Sequence, residues 1–259
     1  MMLGGIVMSM EFTINEIKQC YDFAKAMVGN HNRNMIMARE DWEIFRDDIR
    51  GKLGEIAVRR YIKKEIPNAI INTNIDFNVT PIGSWDITDL VVNNKYLSVK
   101  AIRGHSEFLL IETKRYDENG NYKYSNNDGN NVKLDYYVLT RIGIEPEITK
   151  NAFAMHDFET FINKAWSGSL KKEVIRRFTL EVLGGISHED FWRNKTFAPK
   201  GIKCSIPNLR AITNNTLIEN LPQKLRGNEK RNEKLQQDNY VISSESSKRQ
   251  FRKLEEILS

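Results

Sequence analysis

At 259 residues, with 40% hydrophobic and 28% charged side chains, the chain can bury a sizeable core and falls outside the disordered and fibrous classes. No uninterrupted apolar run nears the roughly 20 residues that cross a bilayer, and Cys20 and Cys204 are too few for a disulfide framework or a zinc site, which points to a reducing, cytoplasmic setting. The formal charge of +5 is uneven: residues 222–253 hold nine Lys/Arg against four Asp/Glu, so the body is near neutral and the basic character belongs to the C-terminal segment.

Residues 1–10 are apolar but lack a basic leader, so no signal peptide is expected. Thr13-Ile-Asn-Glu16 has the form of a capping box and predicts a helix toward Val28, with Ile14, Ile17, Tyr21, Ala24 and Met27 on one stripe. The longest helical pattern covers 39–64, carries Ile44, Phe45, Ile49, Leu53, Ile56, Ala57 and Tyr61 inward, and stops before Pro67. Gly51 and Gly54 inside it mark either a break or a close approach to another backbone. Strands are predicted over 70–79, 86–102, 108–113 and 134–142, with 116–131 as a long hairpin loop. Residues 157–166 and 171–183 read as helices, and His188 to Trp192 as a helical turn capped by Ser187. His188 beside Glu189 and Asp190 suggests either a metal cluster or a helix N-terminus with acids in its first turn.

The stretch Asp86-Ile-Thr-Asp89-Leu-Val-Val-Asn-Asn-Lys-Tyr-Leu-Ser98-Val-Lys100-Ala-Ile organises the rest. Asn93-Asn94 tolerates the positive φ of a two-residue type I′ turn. Counting outward pairs Val92 with Lys95, Val91 with Tyr96, Leu90 with Leu97 and Asp89 with Ser98. Alternation then puts Asp89, Ser98 and Lys100 on one face and Leu97, Val99 and Ala101 on the other. An acid, a hydroxyl and a lysine gather there on an apolar scaffold, which makes a candidate active site. Asp86 falls on the opposite face unless a bulge intervenes.

A helix bearing Glu55, a strand with Asp89, then a strand with Ser98-Val-Lys100 resembles the PD-(D/E)xK nuclease superfamily and, within it, type II restriction endonucleases. The supporting phrases are Gly51-Lys-Leu-Gly-Glu-Ile-Ala-Val58, Thr88-Asp-Leu-Val-Val92, Leu97-Ser-Val-Lys-Ala101 and Asp135-Tyr-Tyr-Val-Leu139. The resemblance covers about 39–142, with a weaker echo at 184–192. It implies a metal-binding role for Asp89, the motif-lysine role for Lys100 and a second metal-binding carboxylate at Glu55. Thr88 stands where the motif has proline, and Ser98 where it has an acid. Glu107 and Glu112 are possible substitute ligands, and Glu55 has a structural alternative in pairing with Arg59 one turn on.

On this reading the fold is α/β, a mixed central sheet flanked by helices (a restriction-endonuclease-like core) with an additional, mostly helical C-terminal part. Residues 1–38 form an N-terminal helical segment, 39–220 the nuclease-like domain, and 221–259 a basic, partly helical or flexible tail, read either as solvated or as a DNA-contacting arm. The implied function is Mg²⁺-dependent hydrolysis of phosphodiester bonds in double-stranded DNA by a homodimer, with no membrane association. Ser98 keeps a second class open, a non-catalytic DNA-binding module on a degenerate nuclease fold. A structure-selective repair or junction nuclease is the third.

Overall fold

The computed structural model describes residues 11–28, 40–79, 88–103, 106–117, 134–145, 147–151, 160, 162–164, 171–201, 238–243 and 251–258. Helix α1 (Ile14–Met27) begins at the expected capping box: the Glu16 amide donates to Thr13 Oγ1 (3.3 Å) and the Thr13 amide to Glu16 Oε2 (2.7 Å). Helix α2 (Asp41–Glu65) has Asp41 and Glu43 in its first turn and Lys63 and Lys64 in its last, which suits the helix dipole at both ends. The two helices pack through the buried faces read from their periodicity, with Tyr21 and Phe45 meeting edge to face at 5.5 Å.

The four-stranded sheet has the order β1 (Leu90–Val92), β2 (Lys95–Ile102), β4 (Tyr136–Ile144), β5 (Phe178–Ser187). It is mixed: β1–β2 and β4–β5 are antiparallel, and β2–β4 is parallel. Helix α2 covers one face, burying Val58, Tyr61 and Ile62 against Leu90, Leu97, Val99 and Val138. A second sheet, in the order β3 (Phe108–Glu112), β7 (Asn239–Ser243), β6 (Thr196–Ala198), backs the other face. There Leu109, Ile111 and Ile242 pack with Tyr137, Leu139, Ile186 and Phe191, the last from helix α4 (His188–Asn194). The chain is thus a mixed α/β protein, and the two faces of its central sheet are buried by different kinds of layer.

Several expectations change. Residues 70–79 form no strand; only Ile71 bridges to Val92, because Ile70 O and Asn72 N bond across to the turn end of β1 while the chain beyond moves off. The hairpin loop expected over 116–131 falls mostly outside the described residues, and β3 and β4 on either side of it belong to different sheets, with β4 taking β2 as its parallel neighbour. The helix predicted over 171–183 stops at α3 (Lys171–Arg176), and Phe178 begins β5. Alternation from Phe178 through Leu180, buried about exposed Thr179, is a strand pattern that a helical count of the same apolar residues hides. The helix read over 157–166 falls mostly outside the described residues.

The C-terminal part is not mostly helical among the described residues, because β5, β6 and β7 lie within it. Two pieces of the segment read as a tail belong to the fold: β7 is the middle strand of the second sheet, and helix α5 (Leu254–Leu258) buries Leu254, Ile257 and Leu258 against α2 and β2. The chain just before α5 bridges to β5, Gly185 and Arg252 exchanging backbone hydrogen bonds of 2.9 and 2.8 Å. Gly184 makes room for this. Its φ is +121°, and a Cβ there would lie 2.6 Å from the Arg252 carbonyl oxygen. No helix among the described residues is long and apolar enough to cross a membrane.

Candidate active site

The site grows from the β1–β2 hairpin. Asn93 and Asn94 have φ of 49° and 59°, the left-handed pair that a type I′ turn requires, and three of the pairs counted from the sequence form: Val92 with Lys95, Val91 with Tyr96 and Leu90 with Leu97. Ladder pairing by β1 ends at Leu90, but Asp89 continues it in another way. Its amide donates to Leu97 O (3.0 Å), and its side-chain Oδ2 accepts the Val99 amide (2.6 Å) and the Ser98 hydroxyl (3.2 Å). The carboxylate thereby satisfies an edge amide that the departing strand would leave open. Among the described residues Oδ1 accepts no hydrogen bond. Lys100 follows two residues after Ser98, half-buried and on the same face.

Glu55 reaches this edge because α2 lies unusually close to the sheet. A Cβ on Gly54 would come within 2.8 Å of Thr140 Oγ1 and 3.0 Å of the Ala101 Cβ, so a larger residue would push the helix away. Close approach is the correct reading for Gly54, whereas Gly51 has open space around it. Glu55 itself is only 7% exposed. Burial, with the Asp89 carboxylate adding to it, pushes its pKa up to about 8, against the partial offset of Lys52 and Lys100. Asp89 and Lys100 therefore both lie within electrostatic reach of Glu55, with Ser98 bonded to Asp89.

Sequence reasoning missed Lys52. Arg59, the structural partner that helical spacing offers for Glu55, bonds Thr73 O and Asn74 Oδ1, each at 3.0 Å. Lys52 Nζ instead holds both Glu55 oxygens, at 2.9 and 3.0 Å. The signal was present as a Lys–Glu pair three residues apart on one helix face. The other candidates sit elsewhere. Glu107 is buried beside Ser243, whose hydroxyl donates to it at 3.5 Å, and Glu112 pairs in register with Asn239. Asp86 lies outside the described residues. His188 begins α4 with its ring against Tyr137, Nδ1 to hydroxyl 3.2 Å, while Ser187 Oγ accepts the Asp190 amide at 3.0 Å; this is the capped helix start rather than a metal cluster. Asp135 is structural, its Oδ2 taking the Tyr96 amide at 2.7 Å.

No three His, Cys, Asp or Glu side chains gather as a metal cluster among the described residues. The donor set on offer is two carboxylates and a hydroxyl. These are hard oxygen atoms, and Mg²⁺ is commonly held by one or two carboxylates plus water and substrate phosphate. Burial is the main cause of the raised Glu55 pKa and the Asp89 carboxylate the second, and a divalent cation between the two acids would offset that second effect. The residues fit such an ion. No protein-family model matches the chain, and no curated protein or solved structure matches it.

Glu55 also makes folding depend on pH. The folded chain holds its proton more tightly than the unfolded chain does, so this contribution is full below pH 4.5 and is lost as pH rises through about 8. Glu55→Gln keeps an acceptor for Lys52 and removes the titration. It should raise the melting temperature at pH 9 by on the order of 5 °C and change it little at pH 5. Thermal melts of the two proteins across that range check this, and parallel curves would contradict it.

Proposed function

We propose that the protein is a Mg²⁺-dependent endonuclease of the PD-(D/E)xK kind, hydrolysing phosphodiester bonds of double-stranded DNA in the manner of a type II restriction endonuclease. What supports this reading is buried Glu55 within electrostatic reach of both Asp89 and Lys100, with Asp89 held by the Ser98 hydroxyl and the Val99 amide just before β1. Phosphodiester cleavage needs an attacking water deprotonated near neutral pH and stabilisation of charge on the scissile phosphate. Asp89 and Glu55 would hold Mg²⁺, which when bound would supply a Lewis acid and a lowered water pKa.

The chain's own groups do the rest. The Val99 amide fixes Oδ2 of Asp89 and leaves Oδ1 for coordination. Ser98 adds a neutral hydrogen bond where the family pattern has a carboxylate, so Glu55 becomes the second acid. Lys100, on the same face, orients the attacking water, assists its deprotonation and faces the charge that develops on the phosphate. The duplex offers two strands, and a two-fold homodimer presents one such site to each. The basic residues of 222–237 add phosphate contacts, and with them affinity rather than sequence choice.

Ser98 also supports a second reading, a DNA-binding module that has lost catalysis. Its hydroxyl is spent on Asp89 and carries no charge for a metal. The two separate by adding Mg²⁺ to a protein–duplex complex formed in Ca²⁺. Strand scission on addition supports the nuclease; a complex that stays bound and intact supports the module. Preference for branched over linear duplex would redirect the proposal to a structure-selective nuclease.

A further inference from the structure

We propose that Lys52 is a positioning residue that acts as the resident counter-cation of Glu55, holding the carboxylate that a divalent metal would otherwise share with Asp89; this rests on the metal-dependent reading above. Lys52 and Glu55 sit one turn apart on α2, and the Lys52 ammonium contacts both carboxylate oxygens at 2.9 and 3.0 Å. The pair is shielded: the side chains are 16% and 9% exposed. The ammonium is flanked by the Phe23 and Phe77 rings, with centroids at 5.1 and 6.0 Å, which favour a cation there.

The two acids of the site are therefore in different states. Asp89 keeps Oδ1 without a hydrogen bond, while both oxygens of Glu55 are engaged. For Glu55 to join Asp89 on a metal, the ammonium must give up at least one oxygen and accept a divalent charge nearby. Both effects weaken metal binding by the DNA-free protein. Lys52 thus keeps Glu55 in place while holding it back from coordination.

The test is Mn²⁺ binding by the full chain without DNA, read from the electron paramagnetic resonance signal of the free ion. Lys52→Met should tighten Mn²⁺ binding by about tenfold, since a unit charge a few ångströms from the ion is removed. Lys52→Arg, which keeps the charge, should stay close to wild type. The gain should vanish when Asp89→Asn is combined with Lys52→Met. A merely structural role predicts the opposite sign, because loss of local order loosens a metal site. If Lys52→Met does not fold, Lys52→Gln carries the same expectation. Unchanged or weaker binding by a folded charge-free variant overturns the assignment. Wild-type binding that Asp89→Asn leaves untouched would sink the metal reading itself, whereas Asp89-dependent binding with no gain on removing Lys52 overturns only the role of Lys52.

Discussion

Lys100→Ala should lower the single-turnover rate of DNA cleavage by roughly 10²- to 10³-fold or more, the range seen when one group facing transition-state charge is removed. The fold should survive, because Lys100 is half-buried and its contact with β4 uses its backbone oxygen, which accepts Thr140 Oγ1 at 3.4 Å and is kept in alanine. DNA affinity measured in Ca²⁺ should change little, since one cation among many phosphate contacts contributes a small share of binding. Asp89→Asn should also stop cleavage, but through metal affinity, so higher Mn²⁺ should restore part of it. Ser98→Ala should be milder. It removes the 3.2 Å bond to Asp89 and leaves the 2.6 Å bond from the Val99 amide in place. Wild-type cutting by Lys100→Ala would end the assignment of this lysine.

The second large effect is on stability. A chain ending at Gln250 should fail to fold. Phe251, Leu254, Ile257 and Leu258 are all buried, the last three in the cluster that joins α2 to β1 and β2. At about 1.5–3 kcal/mol each, their loss amounts to roughly 6–12 kcal/mol, against a total stability of about 5–15 kcal/mol for a domain. Polar ties go as well. Asn93 Nδ2 and Lys95 Nζ donate to the Leu258 and Ile257 carbonyls, each at 2.6 Å, so the last helix braces the turn that sets the Asp89 register. Circular dichroism and a thermal melt of the truncated protein test this; a cooperative melt near the wild-type temperature would contradict it. The same packing means that cutting the chain before Pro222 would remove β7 and α5 along with the basic residues. The affinity attributed to those residues is better probed by neutralising them singly.

What the sequence made legible was local. Two asparagines in the left-handed region fix a two-residue turn, and the turn fixes the pairing of Val92 with Lys95, Val91 with Tyr96 and Leu90 with Leu97, so counting placed Ser98 and Lys100 on one face of β2 and brought Asp89 to the end of that ladder. A capping box placed the start of α1, and apolar stripes placed α1 and α2. The relations that failed were long-range. The parallel partnership of β2 and β4, with β3 sent to another sheet, leaves no mark in either strand's own pattern. Strand β7 is five residues in a polar neighbourhood, and only its place between β3 and β6 makes Tyr240 to Ser243 a strand interior. Lys52 was missed as the partner of Glu55 because helical spacing suits Arg59 equally well. Arg59 is drawn off by the carbonyl of Thr73, in a segment whose course no local rule gives.

The most direct measurement is digestion of mixed plasmid and phage DNA by the purified full chain in Mg²⁺ or Mn²⁺, beside Lys100→Ala and a chelator control. The account predicts discrete fragments from the wild type, and intact DNA with the chelator or with Lys100→Ala. DNA left intact by a folded wild-type protein that binds it, in either metal, would contradict the claim that Glu55, Asp89 and Lys100 form a nuclease site.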